Sequence, residues 1–193
     1  MLKTATSLVI FLISIIGLVS LSQAIPPPDN STSGSVSVKD SINVRMSNVD
    51  DIGLVLVWNG HGAETVAHCE WTSGGNHGYA SEQISNRLTK GKNYIVFVLY
   101  NKVYAGSGFF AGGKWSGEMS ITKNGDSYWS KSKYARENNA EIKYWKVIMA
   151  DVSASGRVTL SQDIPSSELS KLRNAMRELE NKLDRNTGFS TPF

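Results

Sequence analysis

Cys69 is the only cysteine among the 193 residues. No disulfide can form within the chain, so its fold must rest on a hydrophobic core. The constraint is sharper because the chain opens with what reads as an export signal. Lys3 supplies a short positive region. Leu8 to Leu21 is apolar apart from Ser14, Gly17 and Ser20, and Ser22-Gln23-Ala24 puts small residues where a signal peptidase reads. The run is shorter than the roughly 20 apolar residues of a spanning helix, and Pro26-Pro27-Pro28 cannot continue one. Residues 1–24 are therefore expected to be a signal peptide, and the product a secreted, extracellular protein that starts at Ile25. In an oxidising compartment a single thiol is either buried or shared with another chain as an interchain disulfide. Removing the signal leaves roughly 170 residues, enough for one domain with its own core.

Residues 25–35 are polar, proline-led and without periodicity, and read as a flexible mature N-terminus. They hold a glycosylation sequon at Asn30-Ser31-Thr32. From Val36 the pattern turns to strands. In Ser41–Ser47, Ile42, Val44 and Met46 share one face, and Asn43 and Arg45 the other. Leu54–Trp58 is continuously apolar, as in a strand covered on both sides. Asn59-Gly60 turns the chain into Ala63–Trp71, where strict alternation puts Thr65, Ala67, Cys69 and Trp71 together. Thr72–Gly78 reads as loop. Tyr94–Tyr100 is the most apolar run and is expected at the centre. Trp115–Thr122 alternates again, Asn124-Gly125 makes a tight turn, and Ile142–Val152 with Arg157–Ser161 reads as a hairpin. Seven or more strands without a strand-helix-strand rhythm predict an all-β fold over residues 36–164, an antiparallel β-sandwich or flattened barrel.

A C-terminal amphipathic α-helix is predicted over residues 165–187, followed by a tail over 188–193. Leu169, Leu172, Met176, Leu179 and Leu183 recur at alternating spacings of three and four, a short a/d stripe. The stripe either docks the helix on the sandwich or joins two copies into a homo-oligomer.

The catalytic inventory is thin. His61, His68 and His77 lie close in sequence around Cys69, and imidazole and thiolate are common ligands of zinc and copper. Their spacing matches no standard finger or metalloprotease pattern, and His68 and Cys69, adjacent on a strand, must point to opposite faces. There is no nucleophile elbow. Asp50-Asp51, Glu64 and Glu70 are the carboxylates near the histidines, and an acidic pair in a loop reads as solvated. Gly106-Ser107-Gly108 and Gly112-Gly113-Lys114 do not spell a phosphate loop. No cofactor is implied. The formal net charge is +3, one unit of it from Lys3, and that mild basicity calls for no nucleic-acid partner.

Two aromatic segments stand out. Tyr128, Trp129, Lys131, Lys133, Tyr134 and Arg136 interleave rings and cations in a stretch expected to be a loop. Phe109 and Phe110, with Tyr104, lie in a glycine-rich segment. Rings flanked by cations suit a glycan, a lipid surface or a small apolar ligand. In architecture such a domain resembles secreted lectins and the aegerolysin and actinoporin-like cytolysins. None of their motifs can be laid residue by residue on this chain, so the resemblance implies no site residues. The sequence therefore predicts a secreted, non-enzymatic binding protein. The alternatives are a self-assembling storage, egg-fluid or matrix protein, and a hydrolase or metal-dependent enzyme using the histidines.

Overall fold

The computed structural model describes residues 36–59, 62–71, 76–102, 114–137 and 139–186. The expected signal peptide, the segment with Asn30, His61, Tyr104, Phe109, Phe110 and the C-terminal tail all lie outside the described residues.

Among the described residues nine strands precede one α-helix: β1 (Ile42–Asp50), β2 (Ile52–Asn59), β3 (Gly62–Glu70), β4 (Gly78–Gln83), β5 (Gly91–Asn101), β6 (Lys114–Lys123), β7 (Asp126–Arg136), β8 (Glu141–Val152), β9 (Val158–Ser161) and α1 (Ser166–Asn186). They form two antiparallel sheets packed face to face. Sheet A has the order β4-β1-β6-β7 and sheet B the order β3-β2-β5-β8-β9. The sheets do not close into a barrel, so of the two architectures expected the sandwich is the one adopted.

Period-two patterning explains the core between the sheets. Ile42, Val44 and Met46 of β1 meet Trp115, Met119 and Ile121 of β6 on one side, and Val55, Val57, Ile95, Phe97 and Leu99 of sheet B on the other. Gly117 of β6 lies where a Cβ would come within 2.5 Å of a Leu99 methyl. Its missing side chain lets the two sheets approach there.

The continuous apolar runs have a second use. Leu54, Leu56 and Trp58 of β2, with Tyr94, Val96, Val98 and Tyr100 of β5, face outward from sheet B and are covered by Leu172, Ala175, Met176 and Leu179 of α1. Burying one such aliphatic side chain stabilises by about 2 kcal/mol. The helix lies along the sheet with polar tips at the C-terminal end: the Tyr100 hydroxyl donates to the carboxylate of Asp184. The stripe thus docks α1 on its own sheet. Leu169 and Leu183, at its ends, are half-buried.

Asp40 locks the lower end. Its carboxylate accepts from the Val158 N–H at 2.7 Å, Asn124 Nδ2 at 2.9 Å and Arg157 at 3.1 Å. These bonds hold its pKa well below the usual carboxylate range despite burial. Asn124 and Gly125 both have positive φ (54° and 91°), as a two-residue hairpin turn requires.

Three expectations of local backbone structure need correction. Gly78, taken as the end of a loop, begins β4. The stretch around Tyr128–Arg136 is a strand, not a loop, paired with β6 along its length with one register shift between Ile121 and Thr122. A bulge at Val55/Leu56 sets Thr65 opposite Leu56 on the helix-covered face, so Thr65 does not share a side with Ala67 and Cys69. Strict alternation cannot anticipate an inserted residue.

Candidate binding face

Sheet B buries both faces of β2 and β5, whereas among the described residues nothing covers the outer face of sheet A. The same alternation that sends Trp115, Met119 and Ile121 inward sends Ser116, Glu118, Ser120 and Thr122 outward. Pairing then lines up polar rows across four strands. One row is Ser81, Arg45, Ser120 and Ser130, and another is Gln83, Asn43, Thr122 and Ser127. A third joins Ser47, Glu118 and Ser132, with Ser47 Oγ donating to Glu118 Oε2 at 3.1 Å. Tyrosines stand at the two edges: Tyr79 on β4 is 61% exposed and Tyr134 on β7 is 62% exposed. The Arg45 guanidinium lies 5.4 Å from the centre of the Tyr79 ring, close enough for a cation–π contact that fixes the ring. The two edge strands that carry them are roughly 14 Å apart. The face is therefore a broad array of hydroxyls and amides bounded by two exposed rings, with Arg45, Lys114 and Arg136 as cations and Glu118 and Asp50 as carboxylates.

The aromatic and basic residues of β7 are divided between its two sides. Trp129 packs inward, its ring centre 5.2 Å from that of Phe97. Lys131 and Lys133 lie opposite Met119 and Gly117, which are inward-facing positions. The Lys133 ammonium rests 4.9 Å from the Tyr144 ring centre. Inward lysines on an edge strand oppose pairing with another sheet. Tyr128 occupies the bulge between the Ile121 and Thr122 pairs, where burial first, and the charge of Asp163 second, raise its pKa. Tyr134 lies opposite Ser116 and Arg136 opposite Lys114, both on the outer face. The structure thus brings Tyr134 and Arg136 to the candidate face and takes Trp129, Lys131 and Lys133 from it.

Tyr79, Arg45 and Glu118 complete the face and were not anticipated as site residues. Alternation puts Arg45 and Glu118 opposite the apolar residues of their own strands, but the pairing that sets β1 beside β6 is not local. Tyr79 follows a glycine and leaves no alternating run long enough to mark a strand.

The remaining polar chemistry is dispersed. Cys69 is 6% exposed and unpaired; burial first, then the charge of Glu70, pushes its thiol up to about 11. An interchain disulfide would require β3 to leave the sandwich. His68 faces solvent beside it, and His77 is exposed ahead of β4. Among the described residues no group of three or more His, Cys, Asp or Glu side chains is placed to hold a metal. Asp51, expected to be solvated, is 5% exposed. Its Oδ2 accepts the Lys102 N–H at 3.0 Å and its backbone oxygen the Trp71 N–H at 2.9 Å. Burial pushes its carboxyl up to about 6, helped by the charge of Asp50 and opposed by the Lys102 hydrogen bond.

In class, the molecule is an antiparallel two-sheet sandwich, with one sheet covered by a helix and the other uncovered among the described residues. Comparison with protein-family models, with curated proteins and with solved structures finds no match to this chain.

Proposed function

We propose that the chain is a secreted, non-enzymatic binding protein and that the outer face of sheet A holds a glycan. The observation that carries this reading is the pair of exposed tyrosines, Tyr79 and Tyr134, at opposite edges of hydroxyl and amide rows. Sugar rings stack their C–H faces on aromatic rings, and their hydroxyls exchange hydrogen bonds with serine, threonine, asparagine and glutamine side chains. A lipid surface would call for exposed aliphatic groups, and among the described residues the face has none. Charge on it is close to balanced, with Arg45, Lys114 and Arg136 set against Glu118 and Asp50, which disfavours a highly charged partner.

The assembly reading drew on Cys69 and the leucine stripe, and both face this chain's own core. The enzymatic reading drew on histidines and a carboxylate pair, and the described members of that set are not gathered around a common point.

The test is a Tyr79→Ala, Tyr134→Ala double variant on a glycan array. Both side chains are exposed, so folding is retained. Wild-type protein should bind a subset of neutral glycans, and the variant should lose at least about tenfold in affinity. A folded variant that binds as tightly as wild type refutes the assignment.

A further inference from the structure

On the far side of sheet B, α1 and β8 enclose a groove of about 240 Å³ lined by Ile142, Trp145, Arg173, Met176, Arg177 and Glu180. We infer that this groove is a second binding site, and that it takes a single acidic sugar ring, a uronate or a sulfated residue. The site is independent of the face on sheet A.

Four features specify the ligand. Arg173 and Arg177 are one helical turn apart and therefore neighbours on α1. Both are exposed, and neither has an ion-pair partner among the described residues. Guanidinium groups match the planar oxygens of a carboxylate or sulfate better than any other side chain. Glu180 is the one acid among the described residues of the lining, and it is committed: its Oε1 accepts the backbone N–H of Ile142 at 2.6 Å. The groove is thus left with two free cations and one engaged carboxylate, a net attraction for an anion.

The half-buried Trp145 and the apolar Ile142 and Met176 supply a surface for a ring. An inorganic anion needs no such surface. The volume lies below the roughly 300 Å³ at which pockets for larger ligands begin, so the groove fits one ring and not a folded peptide. Access is from the flank. β9 pairs with β8 only from Met149 to Val152, so among the described residues the stretch of β8 that carries Ile142 and Trp145 has no strand beyond it.

The probe is digalacturonate, with its methyl ester as the uncharged control, titrated calorimetrically into the mature protein at low ionic strength. Digalacturonate is expected to bind saturably. The ester, and digalacturonate with an Arg173→Ala, Arg177→Ala variant, should each bind about tenfold more weakly or worse. Trp145→Phe should weaken the acid without changing its preference over the ester. The Tyr79→Ala, Tyr134→Ala variant should bind digalacturonate as wild type does, which separates this site from the face on sheet A. Equal binding of acid and ester, unchanged affinity in the double arginine variant, or no saturable binding would overturn the inference. So would inorganic sulfate binding as tightly as the sugar acid, because the ring would then contribute nothing.

Discussion

Replacing Asp51 with asparagine should stabilise the sandwich above neutral pH and lose that advantage in acid. Asp51 sits in the β1–β2 turn with φ at 73°, a conformation asparagine adopts as readily as aspartate. Its carboxylate has lost nearly all contact with water, and one backbone N–H, from Lys102, does not compensate. The folded-state pKa is therefore about 6 against an ordinary 3.8. Below 3.8 the group is protonated in both folded and unfolded chains and contributes nothing. As pH rises towards 6 the unfolded chain releases its proton first, and stability falls. Above 6 the folded protein carries the whole penalty, about 3 kcal/mol. The asparagine Oδ1 can still accept the Lys102 N–H, while the new amide donor adds a cost that does not depend on pH. The difference in unfolding free energy between variant and wild type should therefore rise by about 2.4 kcal/mol from about pH 4, where the unfolded chain is already partly ionised, to about pH 8. Urea denaturation followed by tryptophan fluorescence measures it at both values. Other titrating groups, Asp40 among them, cancel in the difference between the two proteins. If that difference is the same at both pH values within about 0.5 kcal/mol, the burial argument for Asp51 is wrong.

Trp129→Ala should lower stability by about 3 kcal/mol in the same assay, since it removes a ring packed on Phe97; array binding per folded molecule should be unchanged, and a selective loss of binding would return Trp129 to the site. Cys69 should resist a thiol reagent in native protein at about pH 8 and react fully once guanidinium unfolds the chain; rapid native labelling would show that β3 opens. The tyrosine pair on sheet A and the arginine pair on α1 have the separate binding outcomes given above.

Much of this fold is legible locally. Ile42, Val44 and Met46 alternate with Asn43 and Arg45, and a residue's facing within one strand depends only on the pleat. The length and double-sided apolarity of Tyr94–Tyr100 place β5 at the centre, because no other position buries both faces. Asn124-Gly125 identifies its turn because few residue pairs accept two positive φ values. The leucine stripe of α1 marks a face to be covered but is silent on what covers it, since a sheet of the same chain and a second helix offer the same apolar contact.

The binding surfaces depend on long-range pairing. Tyr79 and Tyr134 are far apart in sequence and share a face only because β4, β1, β6 and β7 are neighbours in one sheet. The aromatic and basic run of β7 looked like one cluster. Pairing with β6 made it a strand, and a strand sends neighbouring side chains to opposite sides, so Trp129 and Lys133 went one way and Tyr134 and Arg136 the other. A lone cysteine without a possible partner in its own chain already required a core-held fold. Only the packing of the two sheets decided that Cys69 lies inside that core, because its burial is a property of the strands that cover it and not of the residues beside it.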